Sequence, residues 1–259
     1  MRTYKDQLNR PVLINDRPIR IVSLVPSITE LLVDLGLENY LVGITKFCVH
    51  PLDLRKRKVV VGGTKSVKLD KIKALDPDLI LCNKEENSEE LVHAVEEIAP
   101  VHISDINTLE DCYELIKMYG AIFKVNEKAA IIIDTIEKER KNHTFKFNAP
   151  RSVAYFIWKG PYMVVGSNTF INTMLIEAGF HNVFEDEVRY PEIDLDHPKL
   201  KLAQTIFLSS EPYPFKDEHI LEIKKSYPNK EVKIVDGEYF SWYGSRLIKA
   251  FEYFKTLHQ

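Results

Sequence analysis

A cysteine and a histidine stand two positions apart in the stretch KFCVHP, residues 46–51. In an extended segment Cys48 and His50 project to the same side, where they could ligate a metal or form a nucleophile with its base. Structural zinc sites usually have four ligands with recognisable spacing, and the sequence contains no C-x-x-C pair. The pattern favours a third interpretation, in which Phe47 or His50 lines a pocket and Cys48 is partly buried.

The stretch GEYFSWYGSR, residues 237–246, places four aromatic residues among ten. Trp242 and Tyr243 offer large rigid apolar faces, each with one polar atom. Two interpretations have equal weight here: core packing between two lobes, or a platform for a ligand. The polar residues of the same stretch, Glu238 and Arg246, would orient such a ligand.

Polar side chains also follow other apolar runs of the sequence. Lys84 and Glu85 lie in NKEEN after DLILC, and Glu211 and Tyr213 lie in the proline-stiffened SSEPYPF. Each group is either a solvated loop or helix start, or the polar rim of a cleft. Thr64 follows VVVGG, whose glycines allow a ligand to approach the backbone. No phosphate-binding glycine motif is present, so nucleotide phosphates are not indicated.

Short apolar runs alternate with helical patterns along the whole chain. Strands are predicted at IVSL, VVVGG, DLILCN, VHIS, SVAYFIW, YMVVG and VKIVD. After the first strand, Ser27 and Glu30 predict a capping box, and Gly36 suits the end of that helix. This alternation predicts an α/β fold with parallel sheets, whose ligands lie at the carboxyl ends of the strands.

Two sequence patterns recur in the same order in both halves of the chain. DLGLENYLV at residues 34–42 matches EAGFHNVFE at residues 177–185, and ALDPDLILCN matches KLAQTIFLSS. Between the halves, residues 110–144 are helical in pattern, and residues 126–141 form one long helix without Gly or Pro. We therefore predict two similar lobes: 1–120, a backbone helix 121–148, and 149–259 with the closing helix.

Composition excludes several classes of protein. With a net charge of −3 and no long basic run, the 259-residue chain does not resemble a nucleic-acid binder. It contains no apolar run long enough to span a membrane, and its three cysteines do not form a disulfide framework. The polar start, MRTYKDQLNR, predicts a cytoplasmic location for the chain as written, or a periplasmic or cell-envelope one if a leader was removed.

Several of these stretches together resemble a known family. RIVSLVPSITELLVDLGL, VGGTKSVKLDKIKALDPDLIL, FHNVFEDEVRYPEIDLD and DGEYFSWYGSRLIKAFEYF are similar to the helical-backbone substrate-binding proteins of ABC importers. The loops resemble the cobalamin-binding-like subgroup. The resemblance implies two Rossmann-like lobes joined by one long helix, with a ligand cleft between them and no catalytic activity.

The resemblance also implies roles for particular residues. The ligand-contacting aromatics of the family fall on Phe47, near Ile157 or Trp158, and on Tyr190. A family tryptophan falls on Thr64, which removes one aromatic platform. The loop before the last helix supplies Glu238, Tyr239, Phe240, Ser241 and Trp242. Two acidic residues that dock on the permease in the family fall on Asp70 and Asp196.

The function expected from the resemblance is binding of a cobalamin-like corrinoid or a related metal chelate by a monomer. Its partner would be an ABC permease dimer, and there would be no intrinsic cofactor. His50 could coordinate the metal of the chelate directly. The alternatives are a ferric-siderophore or haem binder of the same fold, and, more distantly, an enzyme that uses Cys48 and His50.

Overall fold

The computed structural model describes residues 1–143 and 150–259 as a mixed α/β protein. Its residues divide into two units. Unit 1 comprises Met1–Ile106, Glu110–Ile136 and Tyr243–Arg246, and unit 2 comprises Asn107–Leu109, Glu137–Trp242 and Leu247–Gln259. The predicted limits of the lobes and linker, at 120/121 and 148/149, stay predictions. Residues 144–149, which include the second limit and the predicted end of the helical pattern, lie outside the described residues.

The strands are, in chain order, β1 (Arg2–Lys5), β2 (Pro11–Ile14), β3 (Ile21–Ser23), β4 (Leu41–Thr45), β5 (Val59–Gly62), β6 (Leu79–Asn83), β7 (Val101–Ser104), β8 (Arg151–Trp158), β9 (Tyr162–Val164), β10 (Phe180–Asn182), β11 (Glu192–Ile193), β12 (Thr205–Ser209) and β13 (Glu231–Val235). The helices are α1 (Pro26–Asp34), α2 (Leu54–Arg57), α3 (Leu69–Ala74), α4 (Glu89–Glu96), α5 (Leu109–Ile122), α6 (Asn126–Asn142), α7 (Phe170–Glu177), α8 (Asp217–Ser226), α9 (Glu238–Ser241) and α10 (Leu247–Thr256). Within the described residues, no helix has both the length and the apolar character that crossing a bilayer requires.

The main sheet of unit 1 is parallel, as predicted. Its strand order is β5-β4-β3-β6-β7, and β3 is fully buried at its centre. The chain runs outward from β3 to β5 and then crosses to β6, so the strand order reverses between β3 and β6. In open α/β sheets ligands bind outside the carboxyl ends of the strands at this reversal. A separate antiparallel hairpin is formed by β1 and β2.

The first helix begins differently from the prediction. Its N-cap is Val25, which makes no side-chain cap bond, and Pro26 opens the helix where no backbone N–H is needed. The predicted capping box of Ser27 and Glu30 is therefore wrong. The predicted end is confirmed, because Gly36 adopts a φ of +78°, which glycine tolerates.

Glu30 instead forms a buried ion pair inside unit 1. Arg246 donates from Nε to Glu30 Oε2 over 2.7 Å and from Nη2 to Oε1 over 2.9 Å, and the two side chains are 5% and 10% exposed. Nearby, the N–H of Gly244 donates to the sulfur of Cys112 over 3.2 Å. The guanidinium of Arg246, predicted to orient a ligand, is thus committed to holding residues 243–246 against α1.

The predicted helical stretch at 110–144 consists of two helices. Lys124 adopts a φ of +58° between α5 and α6, which ends the first helix. A Cβ on Gly120 would lie 2.9 Å from the Cβ of Ala129, so the small residue lets the two helices approach closely. The long helix predicted at 126–141 is confirmed by α6, whose 17 residues span about 25 Å.

Unit 2 contains a mixed sheet. Its order is β11-β9-β8-β12-β13, and β10 pairs with the beginning of β8. Strands β8, β10, β12 and β13 are parallel, whereas β9 and β11 are antiparallel to their neighbours. The expectation of a parallel sheet fails for YMVVG because only three residues connect β8 to β9, and a link that short joins antiparallel strands.

The predicted internal repeat is confirmed by the topology. Gly36 and Gly179 have φ values of +78° and +76° just beyond α1 and α7. The strands that follow, β4 and β10, each pair in parallel with the first strand of their own sheet, β3 or β8. The second matched pair, β6 and β12, lies on the other side of those first strands.

Replacement of Arg246 by Ala is expected to lower the free energy of unfolding by about 3–5 kcal/mol, because it leaves the carboxylate of Glu30 buried without its partner. Urea unfolding followed by circular dichroism measures the loss. The double variant Glu30→Leu/Arg246→Met, which removes both charges, should recover most of it.

The control is Arg151→Ala, which removes an exposed ion pair with Glu231 and should cost about 1 kcal/mol or less. Equal losses of unfolding free energy in Arg246→Ala and Arg151→Ala would show that the buried pair matters no more to stability than the exposed one.

Candidate functional site

The loop after β4 presents an aromatic ring at the carboxyl edge of the unit 1 sheet. The side chain of Phe47 is 48% exposed, and Lys46 Nζ lies 4.9 Å from the centre of its ring. A Cβ on Gly63, after β5, would lie 3.3 Å from Phe47 Cε2, so the glycine lets the ring approach that backbone. A half-exposed apolar ring in this position can pack against a ligand.

Cys48 belongs to the same loop and is buried. Its sulfur is fully buried, 3.1 Å from Thr29 Oγ1 and 3.3 Å from Thr45 Oγ1. Burial raises the pKa of the Cys48 thiol. A nucleophilic cysteine needs a stabilised thiolate and access to substrate, so these surroundings argue against the Cys48–His50 enzyme.

His50 is half-buried in the same loop. In the part of the chain that the structure describes, no three His, Cys, Asp or Glu side chains are grouped so as to hold a metal ion. A role for His50 as the single protein ligand of a chelated metal stays a prediction.

Two buried asparagines hold the loops around the strand reversal, and the sequence interpretation missed both. Asn87 Oδ1 accepts the N–H of Asn83 over 2.8 Å, and Asn87 Nδ2 donates to Thr64 O over 2.7 Å and more weakly to Leu24 O over 3.4 Å. Asn83 Oδ1 accepts the N–H of Glu85 over 2.9 Å. One amide therefore ties together the loops after β3, β5 and β6. Their positions at the two ends of NKEEN were the available signal.

Three polar residues that were predicted as ligand contacts, Lys84, Glu85 and Thr64, lie on the loops that this network holds. Lys84 is exposed and makes an ion pair of 2.5 Å with Asp105, beyond β7. Glu85 and Thr64 are half-buried, and Thr64 is held through its carbonyl rather than its hydroxyl. Their side chains lie at the carboxyl edge of the sheet, as expected.

Tyr243 lies in the interior of unit 1. It is 4% exposed, and its hydroxyl is 3.2 Å from Ser104 Oγ at the end of β7. Burial raises the pKa of Tyr243 far above its ordinary value, so the phenol is neutral. Of its two interpretations, core packing describes Tyr243 in this structure, and its role as a ligand residue stays a prediction.

In unit 2, a carboxylate organises the loop after β12. Glu211 Oε1 accepts from Ser241 Oγ over 2.7 Å and from Trp242 Nε1 over 3.0 Å. Burial raises the pKa of Glu211 despite these bonds, and the charges of Glu238 and Asp236 raise it further. A Cβ on Gly237 would lie 2.8 Å from Glu211 Cγ, so only glycine fits beside it.

Trp158 packs against Tyr213, which lies in the same loop as Glu211. Trp158, at the end of β8, is 39% exposed and makes an edge contact with Tyr213, with ring centres 5.6 Å apart. The hydroxyl of Tyr213 lies 3.2 Å from Nε2 of the buried His219 on α8. Trp158 is thus a supported ring with one open face, comparable with Phe47 in unit 1.

The remaining aromatics of the second half are distributed differently. Phe240 is fully buried, with its ring centre 5.1 Å from that of Tyr155 and 4.7 Å from that of Phe254, so it forms core and its prediction as a ligand residue is wrong. Tyr239 is half-buried and stacks on Tyr253 at 4.6 Å.

Tyr190 is half-buried, and the guanidinium of Arg189 lies 5.4 Å from its ring centre. Glu238 is half-buried at the first position of α9. Trp242 is 5% exposed, and its indole faces Glu211. These three residues stay in the predicted ligand set.

The two predicted docking carboxylates are exposed. Asp70 lies in the first turn of α3, and Asp196 lies just before the turn at Pro198–Lys201. Both can reach a partner in solution, and their docking role stays a prediction.

The model of a family described as Periplasmic binding protein matches residues 21–229. The chain belongs to this family. The match covers the parallel core of unit 1 and most of unit 2, which agrees with the predicted fold class and with the resemblance stated from the sequence. Proteins of this family bind ligands, and the exposed rings of Phe47 and Trp158 can contact one.

Individual relatives agree with that assignment. The uncharacterised ABC transporter substrate-binding lipoprotein YvrC of Bacillus subtilis is 27% identical over 74% of this chain, and the match spans 63% of that relative's length. A vitamin B12-binding protein of Pectobacterium carotovorum is 24% identical over 90% of this chain and 86% of its own. The fold of the periplasmic heme-binding protein RhuT from Roseiflexus superposes with a TM-score of 0.78 at 18% identity, covering 93% of this chain and 99% of that one.

Replacement of Asn87 by Ala should release the loops after β5 and β6. The loss of its buried bonds is expected to cost about 1–3 kcal/mol of stability, and the backbone N–H of Asn83 should lose protection from hydrogen exchange. Exchange measured by mass spectrometry across residues 62–67 and 83–87 tests this. The exposed Asn39, replaced by Ala, is the control, and an unchanged exchange pattern in Asn87→Ala would contradict the role of this amide.

Protonation of Glu211 should stabilise unit 2. Because its pKa is raised in the fold, the stabilisation is complete below the ordinary glutamic-acid pKa and is lost as pH rises through the raised value. We expect Glu211→Gln to be more stable than the native chain at neutral pH and equal to it near pH about 4.

Thermal unfolding measured at both pH values checks the Glu211 prediction. The exposed Glu252 in the middle of α10, replaced by Gln, serves as the control and should change neither value. A Glu211→Gln variant that loses stability at neutral pH would show that the carboxylate is favourable in its charged form.

Proposed function

We propose that this chain is the substrate-binding component of an ABC importer, and that its ligand is a cobalamin-like corrinoid or a related metal chelate. The observation that carries the proposal is a pair of half-exposed aromatic rings, Phe47 and Trp158, at the carboxyl ends of parallel strands β4 and β8. Ligands of open α/β sheets bind at such ends.

The rings suit a large, partly apolar macrocycle. About 100 Å² of apolar surface covered at each ring would contribute roughly 2.5 kcal/mol before the cost of association. Polar groups beside the rings orient the ligand through hydrogen bonds to its amide or carboxylate periphery. The proposed set is Phe47, His50, Thr64, Lys84, Glu85, Trp158, Tyr190, Glu211, Tyr213, Glu238, Tyr239, Ser241 and Trp242.

A relative of known name supports a corrinoid as the ligand. The Pectobacterium relative matched along most of both chains is a vitamin B12-binding protein. The role is binding and release without bond-making, since Cys48 is buried with a raised pKa. No cofactor belongs to the protein itself; the metal arrives inside its ligand.

The proposed partner is an ABC permease dimer, to which a monomer of this chain delivers its ligand outside the cytoplasmic membrane. Asp70 and Asp196 are exposed carboxylates suited to pair with permease arginines. The YvrC relative, named as an ABC transporter substrate-binding lipoprotein, supports both the partner and the location at the cell envelope.

Haem or a ferric siderophore is the second candidate. The half-buried His50 beside Phe47 is the observation that favours haem, because imidazole is a common ligand of haem iron. The fold shared with a heme-binding protein is compatible with this ligand.

Isothermal titration with cyanocobalamin, haem and a ferric siderophore distinguishes these ligands. We expect saturable binding of cobalamin, weakened at least about tenfold by Phe47→Ala and by Trp158→Ala through lost apolar contact. The exposed Leu221 of α8, replaced by Ala, is the matched control and should leave the affinity unchanged.

The two ring variants test each of the two surfaces separately. Affinity that neither variant changes would contradict the proposed surfaces. Binding of haem alone, lost in His50→Ala, would replace the corrinoid by the second candidate.

A further inference from the structure

Positive charge is concentrated in one short part of the chain. Residues 46–73 contain nine basic and two acidic residues, so their net charge is +7, whereas the whole chain has −3. The rest of the chain therefore carries −3 − 7 = −10. The basic residues are Lys46, Arg55, Lys56, Arg57, Lys58, Lys65, Lys68, Lys71 and Lys73.

The fold gathers seven of these charges around the edge strand of unit 1. Helices α2 and α3 both pack against β5, which has no neighbour on its outer side in this sheet. We call the basic residues on and beside these elements the basic face: Arg55, Lys56, Arg57, Lys58, Lys68, Lys71 and Lys73. Two acidic residues, Asp53 and Asp70, lie among them. All but the half-buried Lys58 are exposed.

Part of the basic face is held in place and part of it is available. Arg55 donates to Lys46 O over 3.0 Å, and Arg57 pairs with Asp53 over 2.9 Å. Within the described residues, the side chains of Lys56, Lys68 and Lys73 make no hydrogen bond or ion pair, so their ammonium groups point to solvent. Uncompensated cations of this kind attract an anionic surface.

Exposed apolar side chains lie among the charges. Leu52 is 83% exposed just before α2, and Val59 is 42% exposed on β5. Leu54 is fully buried and anchors α2 to the unit, and Lys56 lies about 200° further round the helix, on its outer side. Leu52 is followed by Asp53, which pairs with Arg57, and then by the basic run at residues 55–58. An exposed apolar side chain near basic residues is an arrangement by which peripheral proteins contact a membrane interface.

We propose that the basic face is a docking surface for an anionic phospholipid bilayer, with Leu52 entering the headgroup region. Fluid lipid headgroups can follow long lysine side chains that have no fixed partners, whereas a protein partner would require each charge in a defined geometry. The charge of the remaining chain, −10 in total, would repel the bilayer and thereby favour contact through this face. The inference does not depend on the identity of the ligand.

Flotation of the full chain with vesicles tests the proposal. We expect binding to phosphatidylcholine vesicles that contain about 30% phosphatidylglycerol, no binding to phosphatidylcholine alone, and loss of binding between about 0.1 M and about 0.5 M salt. The triple variant Lys56→Glu/Lys68→Glu/Lys73→Glu should lower the partition coefficient at least about fiftyfold.

The matched control is Lys224→Glu/Lys225→Glu/Lys249→Glu, whose exposed lysines lie on α8 and α10 of unit 2 and which changes the net charge by the same −6. It should keep most of the binding. Circular dichroism confirms that both variants are folded. Equal losses in both triple variants, or no binding of the native chain to anionic vesicles at low salt, would overturn the proposal.

A second variant, Leu52→Ser, separates lipid from other polyanions. It should weaken vesicle binding and leave any binding to a short DNA duplex unchanged, because only the bilayer accepts an apolar side chain. Binding to the duplex as strong as to vesicles, with no effect of Leu52→Ser on either, would show general attraction of polyanions and overturn the assignment to lipid.

Discussion

A carboxylate and a guanidinium that are 216 residues apart in the sequence meet inside unit 1, and much of its architecture depends on that pair. Neither charge could stay buried alone, because an unpaired ion inside a protein costs several kcal/mol. The carboxylate of Glu30 can therefore stay buried on α1 only because Arg246 pairs with it. The same anchor positions Tyr243 against Ser104 and Gly244 against Cys112, so the ends of β7 and α5 are also fixed by it.

Hydrogen bonds of two polar side chains hold the loops near the candidate ligand surfaces. In unit 1 the side chain of Asn87 bridges loops from three strands, and in unit 2 the carboxylate of Glu211 holds Ser241 and Trp242. Asn87 is buried and Glu211 is half-buried, and the hydrogen bonds of each side chain restrict the loops around it. Phe47 follows β4 and Trp158 ends β8, and both rings are partly exposed.

Much of this structure could be predicted from the sequence. The alternation of apolar runs with helical patterns gave the strands of unit 1, and Gly36 and Gly179 marked equivalent helix ends because each adopts a left-handed conformation. The predictions that failed concern residues whose partners are distant in the sequence. The capping box at Ser27 is a local pattern, but Glu30 is used by Arg246, and no local signal identifies that competitor.

The aromatic cluster near the end of the chain shows the same limit for the site. Four aromatics in ten residues indicate function or packing equally well, and the fold divides them: Phe240 and Tyr243 are core, Tyr239 stacks on Tyr253, and Trp242 turns its indole toward Glu211. The sequence interpretation missed the basic face for a different reason. Its charges are spread over α2, α3 and the adjoining turns in the sequence, and only their packing around β5 brings them together.

The position of Arg246 has a consequence for how the protein is made. During synthesis the strands of the unit 1 sheet leave the ribosome well before residue 246 does, so Glu30 must wait for its partner until almost the whole chain has been translated. Unit 1 begins first, yet its last four residues, 243–246, are made only after most of unit 2. A nascent chain that stops shortly before residue 246 would contain every strand of the unit 1 sheet, while the carboxylate of Glu30 on α1 would still have to face water.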